Sequence, residues 1–203
     1  MRPRYGACAL VLVCASVWAQ IPPQANSYRR ILTRSAQAVF GPAAPVPAFA
    51  AQIHQESRWR SDARSGVGAA GLTQFMPATA KWLAAAHPEL GPVDVFNPFW
   101  SIRAMVRYDR HLWPLFTESY DDCEQMAYVL GSYNGGSGWM RKRISLSAYK
   151  PWCLGVTCNI NPGITAANQR QNQEYSQRIL LRWQALYATW GRTLCGESWR
   201  QNK

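Results

Sequence analysis

Apolar side chains in this chain recur at the three- and four-residue spacing of an α-helix, and they never alternate with polar ones over the length of a strand. The clearest predicted helix runs from about Thr165 to Trp190, and Gly191 would end it. One face of this helix carries Tyr175, Ile179, Trp183, Leu186 and Trp190. The pattern predicts an all-α protein, and 203 residues suffice for one domain with an ordinary core.

Proline and capping residues mark the starts of other helices, because proline in a first turn loses no hydrogen bond and Asn or Asp accepts from free N–H groups. The chain between Ser61 and Gly71 is small, polar and glycine-rich, which predicts a loop. We expect an irregular stretch, first basic and then cysteine-bearing, from Gly138 to Pro162. The remaining predicted helices begin near Ser27, Pro47, Pro77, Asn97 and Asp121.

Composition excludes a disordered chain and limits the class of partner. Hydrophobic residues make up 48% of the sequence and charged residues only 16%, so the chain has ample apolar surface to bury. Lys and Arg number 22 against 11 acids, a net charge of +11. Such a charge indicates an anionic partner, which could be nucleic acid, a membrane or a cell wall.

The N-terminus is typical of a secretory signal peptide. Arg2 and Arg4 precede an apolar run over residues 6–15, and the small residue Ala19 lies at a plausible cleavage point. A transmembrane anchor is the alternative, but the run is shorter than the roughly 20 residues that a spanning helix needs. We therefore expect cleavage before Gln20, with no stable membrane span afterwards and a periplasmic location.

The cysteines fit an exported chain. Cleavage would remove Cys8 and Cys14, and lipid attachment through Cys14 is disfavoured because Val13 stands where a small residue is expected. An even number then remains, which in an oxidising compartment predicts two disulfides. Three connectivities are open, and a zinc site is a weaker alternative because no CxxC pair exists. We favour the pairs Cys153–Cys158 and Cys123–Cys195, and we expect no metal or cofactor.

One glutamate has an unusual position. It lies in the helix predicted to begin near Pro47. There Phe49, Ile53 and Glu56 fall at i, i+4 and i+7, which places a carboxyl group on the apolar face. Burial would raise its pKa toward the range of a general acid at neutral pH. The alternative is a structural glutamate paired with Arg58 or Arg60.

The residues around Glu56 read HQESRWRSDARSGVGAAGLTQFMPATA. This string resembles the catalytic motif of the soluble lytic transglycosylase family, or SLT domain, in which a glutamate and serine precede a glycine-rich turn and a Gly-Leu-Met-Gln element. Thr73 replaces the usual methionine. The family therefore implies a lysozyme-like fold with Glu56 as the catalytic acid.

Other segments are similar to further elements of the same family. The pair Asn97 and Pro98 looks like its Asp/Asn-Pro segment, and LGSYNGGSGWMRK is similar to its Ala-Tyr-Asn-Ala-Gly element. The family's Glu-Thr-Arg-x-Tyr element departs here, because Gln171 stands at the glutamate's position. Glu174, one helical turn further along, could substitute for that glutamate.

The resemblance spans roughly Ala44 to Leu186 and implies a domain organisation. We expect a signal peptide over 1–19, an N-terminal helical extension over 20–43, the SLT domain over 44–190 and a tail over 191–203. The cysteine-bearing stretch is an irregular insertion that the resemblance leaves unmatched.

The family's activity is cleavage of the β-1,4 bond between N-acetylmuramic acid and N-acetylglucosamine in peptidoglycan, without water. Glu56 would protonate the bridging oxygen and then serve as base for the muramyl 6-hydroxyl, giving a 1,6-anhydro sugar. Tyr133 would point its hydroxyl into the cleft toward Glu56. The expected substrate contacts are Ser65, Gln74, Met76, Asn134 and Glu174.

Two other readings remain. A goose-type lysozyme would use water, activated by a carboxylate for which Asp62 and Asp109 are the candidates. A non-catalytic peptidoglycan-binding scaffold of an envelope machine would not need an intact acid. Nucleic acid is not an expected partner, since export and the lack of a basic-aromatic array argue against it. The expected partner is peptidoglycan, with a conjugation, secretion or pilus assembly as a possible client.

Overall fold

The computed structural model describes residues 20–196, and the predicted signal peptide lies outside them. Within this range the chain is helical, with two isolated antiparallel bridges, Arg64 to Ala70 and Ala70 to Phe75, and no strand. No helix of the described range is long and apolar enough to cross a membrane. The α-helices are α1 Pro23–Phe40, α2 Val46–Ser57, α3 Pro77–Ala86, α4 Pro98–Leu112, α5 Asp122–Gly135, α6 Ser137–Leu146 and α7 Ala166–Gln177.

Helix α2 lies at the centre of the molecule. Its side chains are buried almost all the way round, including the polar Gln52, His54 and Ser57, because other helices surround it. It packs against α1 on one side and against the helical segment 178–190 on the other. Helix α5 packs against α4, α6 and α7, so the two central helices are each surrounded by others.

The predicted helix starts are confirmed where a cap defines them. The Asn97 side chain accepts hydrogen bonds from the backbone N–H groups of Phe99 and Trp100 at the start of α4. The Asp121 side chain accepts from the N–H of Glu124 at the start of α5. These side chains satisfy backbone donors that have no partner within the helix.

The basic residues after Gly138 form helix α6, so the prediction of an irregular stretch is wrong there. Arg143 lies on the buried face of α6, where its guanidinium donates to the carbonyl of Ile160 and to the side chain of Gln169. A buried arginine interrupts the apolar periodicity that normally reveals a helix. The irregular insertion begins only at Ser147, where α6 ends.

The C-terminal helical segment is not one regular α-helix. After α7 the chain continues as a π-helical segment, Arg178–Trp183, and then as a 3₁₀ segment, Gln184–Trp190. Both parts pack against α2. The predicted extent is therefore right, while the helix type changes where the segment packs against α2.

The four remaining cysteines pair as favoured from the sequence, Cys123 with Cys195 and Cys153 with Cys158. The first bond ties the end of the described chain to the start of α5. The second closes a short turn in the irregular insertion. All four sulfurs are thus used in disulfides, and no cluster of three potential metal-ligating side chains occurs in the described part of the chain.

Candidate active site

Glu56 lies in the last turn of α2, directly before the helix stops. Arg58 and Trp59 both adopt left-handed backbone conformations, with φ of 53° and 67°, which turn the chain away from the helix axis. The turn exposes one edge of the helix end to a cavity. The predicted position of Glu56 on an otherwise apolar helix face is therefore the position at which the core meets solvent.

Burial raises the pKa of Glu56 to about 8, because surrounding protein atoms disfavour the charged carboxylate. The hydroxyl of Tyr175 donates a hydrogen bond to Oε1 of Glu56, and this contact opposes part of the shift. The side chain as a whole is only partly buried, since it also lines the cavity. Glu56 is thus a protonated acid at neutral pH with access to a ligand.

The cavity beside Glu56 has a volume of about 590 Å³ and lies between the loop after α2, the end of α5 and helix α7. It brings together every predicted catalytic and substrate-binding residue. These residues are Glu56, Ser65, Gln74, Met76, Tyr133, Asn134 and Glu174. They come from α2, the loop after it, α5 and α7, so only the tertiary fold assembles them.

The loop after α2 is held in shape by its own polar groups. Ser65 Oγ accepts from the N–H of Ala69 at 2.9 Å, and the side-chain amide of Gln74 donates to the carbonyl oxygens of Ala63 and Gly71. Both predicted sugar contacts therefore also brace the cavity wall. Such bracing fixes a binding surface before any ligand arrives.

Gly71 is required by this loop. Its φ of 79° lies in the left-handed region, and a Cβ placed there would stand 1.7 Å from the carbonyl oxygen of Val95. Any larger residue would separate the loop from the segment that precedes α4. The glycine of the Gly-Leu-x-Gln motif thus has a packing role here.

Tyr133 lines the cavity but does not hydrogen-bond Glu56. Its hydroxyl donates to the backbone carbonyl of Thr73 at 2.8 Å, which links α5 to the loop after α2. Burial and then the nearby Glu56 carboxyl raise the pKa of Tyr133, so the two groups are neighbours, and the expected action of this hydroxyl on the acid stays a prediction. The carbonyl of Thr73 is the acceptor, and the hydroxyl that reaches the acid belongs to Tyr175.

Asn134 is oriented by a neighbour on α7. The Asn172 side-chain amide donates to Asn134 Oδ1 at 3.1 Å and to the carbonyl oxygen of Gly131 at 2.8 Å. A Cβ on Gly135 would stand 2.5 Å from that amide nitrogen. Glycine at the family's alanine position therefore leaves space for Asn172 between α5 and α7.

The segment of α7 that differs from the family pattern contributes exposed polar groups to the cavity. Gln171 and Glu174 both line the cavity, as does Arg170. Glu174 forms an ion pair with Arg178 one turn further along. The proposed substitute for the family glutamate is thus present at the cavity, although its carboxylate already has a partner.

The two carboxylates considered for activating water do not line this cavity. Asp62 is exposed, and the side chain of Asp109 is 0% exposed. Burial raises the pKa of Asp109 well above its usual value, and the Glu56 carboxyl adds to the shift. Asp109 Oδ1 accepts a 3.4 Å hydrogen bond from Gln52, one turn before Glu56. A fully buried carboxyl that does not line the cavity is poorly placed to activate a water there.

Tyr175 is a site residue that sequence reasoning placed on an apolar face and aligned with the family tyrosine, but to which it gave no role at the site. The buried ring packs in the core while its hydroxyl reaches Glu56, 119 positions earlier in the chain. The family element Glu-Thr-Arg-x-Tyr contains a tyrosine at this position. That match was the available signal, but spacing alone cannot indicate which long-range partner a hydroxyl contacts.

Comparison with known proteins supports the assignment that the motif and this geometry favour. The model of the transglycosylase SLT domain matches residues 37–151, more than half of the chain. The chain belongs to the SLT transglycosylase family. The match begins before the expected boundary at Ala44 and stops within the irregular insertion, so it does not include α7.

Similar sequences and structures extend this picture of the SLT chain. It is 34% identical over 90 residues to membrane-bound lytic murein transglycosylase F of Shewanella halifaxensis, and 33% over 92 residues to that of Vibrio parahaemolyticus. These matches cover 44% and 45% of the chain, and 18% and 16% of the relatives. The chain thus spans less than a fifth of those relatives' length.

Two solved structures share the fold. The 70 kDa soluble lytic transglycosylase from Escherichia coli aligns with a TM-score of 0.59 and 20% identity, over 80% of this chain and 24% of that one. An inactive mutant of lytic transglycosylase Slt from Pseudomonas aeruginosa aligns with a TM-score of 0.61 and 21% identity, over 85% and 26%. The expected lysozyme-like, all-α fold of the SLT domain is confirmed.

Proposed function

We propose that this SLT domain cleaves the β-1,4 bond between N-acetylmuramic acid and N-acetylglucosamine in peptidoglycan without water. Glu56 donates its proton to the bridging oxygen as the bond to the muramyl anomeric carbon breaks. The raised pKa, about 8, keeps that proton available at neutral pH. Membership of the SLT family and the named murein transglycosylase relatives support this reaction.

The absence of a second usable carboxylate in the cavity supports an internal nucleophile. Among the described residues that line it, Glu174 is the only other acid, and it is paired with Arg178. Enzymes that use water or a covalent intermediate place a second carboxylate across the scissile bond. The muramyl 6-hydroxyl instead attacks its own anomeric carbon and returns its proton to Glu56, which closes a 1,6-anhydro ring.

Two tyrosines assist the acid in different ways. Tyr175 holds one oxygen of Glu56, which leaves the other free to carry the proton. Tyr133 binds the carbonyl of Thr73 and so fixes the loop that carries Gln74 and Met76 against α5. We assign Tyr133 to positioning in the resting enzyme, with its ring facing the substrate.

The remaining contacts bind the glycan strand. Ser65, Gln74 and Asn134 present polar groups, and Met76 presents an apolar surface at the same cavity. Glu174 and the arginines beside it face the peptide stems. A basic protein favours these acidic stems, and the attraction weakens as salt rises.

We further propose that the protein is exported through residues 1–19 and acts in the periplasm. The two disulfides are consistent with an oxidising compartment. A small, strongly basic SLT domain is suited to opening the wall locally for a conjugation, secretion or pilus assembly. Cleavage before Gln20 is tested by N-terminal sequencing of periplasmic material.

Mass spectrometry of products from purified sacculi tests the reaction. Anhydro-muramyl ends are expected, and they differ from reducing ends by one water. Reducing ends would establish the goose-type hydrolytic alternative. Binding to sacculi without any release would establish the scaffold alternative.

A further inference from the structure

A second, smaller cavity lies near the first. It has a volume of about 300 Å³, at the lower end of the range for small-ligand sites, and it lies between α3, α4 and the start of α6. Its lining combines aromatic rings with hydroxyl groups. The lining residues are Ala78, Thr79, Trp82, Tyr108, His111, Leu112 and Ser137.

Two chain segments contribute to both cavities, which makes the cavities neighbours. Met76 lines the first cavity, and Ala78 and Thr79, in the first turn of α3, line the second. Asn134 lines the first cavity and Ser137 the second. The linings of the two cavities are therefore only two or three residues apart along each of these segments.

A row of aromatic rings joins the two cavities through the protein. The ring of Tyr133, at the first cavity, lies 5.4 Å from that of Tyr108, and Tyr108 lies 6.0 Å from Trp82. His111 contacts the indole of Trp82 at 4.8 Å. Both contacts are edge-to-face, so the indole is fixed on one side while 42% of the residue remains exposed.

The indole, held by Tyr108 and His111, offers an apolar ring at a cavity, where a ligand can pack against it. Sugar rings present faces of C–H groups that pack on aromatic rings, and their hydroxyl and acetamido groups need nearby hydrogen-bonding partners. Thr79, Ser137 and His111 supply such partners around Trp82. The chemistry therefore fits one N-acetylhexosamine ring.

We propose that this cavity is an additional subsite for the glycan strand, in which an N-acetylhexosamine remote from the cleaved bond stacks on Trp82. The subsite rests on the proposed function, since its occupant is the strand that Glu56 cleaves. The short separation from the first cavity makes the occupant a long strand and not a separate small molecule. Short fragments that fill only the first cavity do not reach Trp82.

The test measures binding by calorimetry with the full chain carrying Glu56→Gln, which binds without turnover. The ligands are glycan strands from sacculi, both with and without their peptides, and a disaccharide fragment. Adding Trp82→Ala is expected to lower the affinity for long strands relative to the fragment by about tenfold, the scale of losing one aromatic anchor. Trp82→Phe, which keeps a ring, restores most of it.

Trp139→Ala is the matched control, because Trp139 is also 42% exposed and lines neither cavity. It should leave the affinity ratio unchanged. An equal loss with Trp139→Ala, or no change with Trp82→Ala, overturns the subsite. A Trp82 effect seen only with peptide-bearing strands overturns it too, since the occupant would then be the stem.

The outcome for the subsite is separable from that for the reaction. If the parent chain releases no product from sacculi but long-strand binding depends on Trp82, the subsite stands and the catalytic proposal fails. If anhydro products form and binding is independent of Trp82, the catalytic proposal stands and the subsite fails.

Discussion

The cavity beside Glu56 has two unlike parts. Its floor, made of Glu56, Tyr133 and Tyr175, consists of partly or fully buried side chains whose polar atoms are held by specific hydrogen bonds. Its rim, made of Arg170, Gln171, Glu174 and Arg178, consists of more exposed groups on α7 and the turn after it. The floor contains the catalytic motif, whereas the rim contains the departure from the family pattern.

The difference follows from burial. A buried carboxyl has its pKa set by its surroundings, so a small change at the floor alters which form of Glu56 is present. Exposed charges are screened by water and salt, so a change at the rim alters attraction by modest amounts. Changes to the floor residues should therefore alter the rate of catalysis strongly. A change to any one rim residue should alter substrate recognition only weakly.

The strongest test of the floor is Glu56→Gln. The amide keeps the shape of the side chain but cannot donate the proton, so release of anhydro-muropeptides should fall by about 10²- to 10⁴-fold. Product release from sacculi measures this directly. Activity within about tenfold of the parent would remove Glu56 from the role of general acid.

The thermal stability of the same variant tests the burial of Glu56 separately from its role in catalysis. The pKa of Glu56 in the folded protein, about 8, exceeds its ordinary value of 4.5, so the parent loses stability as pH rises between these values. The Gln variant carries no charge there and escapes the loss. Its Tm should equal the parent's near pH 4 and exceed it near pH 9. Equal Tm values at both pH values would contradict burial of the charge.

Tyr175→Phe should have the next largest effect. Removal of one hydrogen bond from the acid should lower turnover by about tenfold. Because that bond lowers the pKa of Glu56, its loss should also move the alkaline limb of the pH–rate profile upward. Tyr128→Phe is a matched control, since Tyr128 is buried but donates to the carbonyl of Lys150, away from the cavity. If the alkaline limb of the pH–rate profile does not move in Tyr175→Phe, Tyr175 contributes packing only and does not act on Glu56.

Smaller effects are expected at the rim. If Glu174 has taken the role of the family glutamate, Glu174→Gln should slow turnover on intact peptidoglycan by about fivefold, more than an exposed charge contributes. Gln171→Glu should be tolerated or mildly beneficial. Glu118→Gln, an exposed acid that does not line the cavity, is the control. Unchanged kinetics in Glu174→Gln would show that Glu174 does not replace the family glutamate that is missing at Gln171.

Asp109→Asn should have the smallest effect. Asp109 does not line the cavity and an amide keeps the shape of its side chain, so turnover near neutral pH should change by less than about threefold, far below the contribution of a general base. Kinetics on sacculi would measure it. A loss of about 10²-fold or more would instead support a water-activating role for Asp109.

The sequence predicts the fold well where local rules determine it. Helix starts at Asn97 and Asp121 depend on side chains that bind backbone groups two or three residues away, so a short window contains the full cause. Helix α6 could not be predicted in this way, because its buried face carries Arg143, whose partners lie 17 and 26 residues away.

The candidate site shows the same limit. Glu56 was identifiable because an acid on an apolar helix face is a local anomaly. The hydrogen bond from Tyr175 depends on how α7 packs near the end of α2, and no spacing rule determines that. The orientation of the Tyr133 hydroxyl depends likewise on the distant carbonyl of Thr73.

The disulfide between Cys123 and Cys195 closes a loop that contains most of the chain around the acid. It spans 72 residues that include Tyr133 and Tyr175 but not Glu56. Closing a loop of that length restricts the unfolded chain and stabilises the folded protein by about 4 kcal/mol. The loop also contains segment 178–190, against which α2 packs, so the packing around Glu56 depends on the same bond. Reduction would therefore lower the stability of the whole fold, and the chain would reach its full stability only on oxidation.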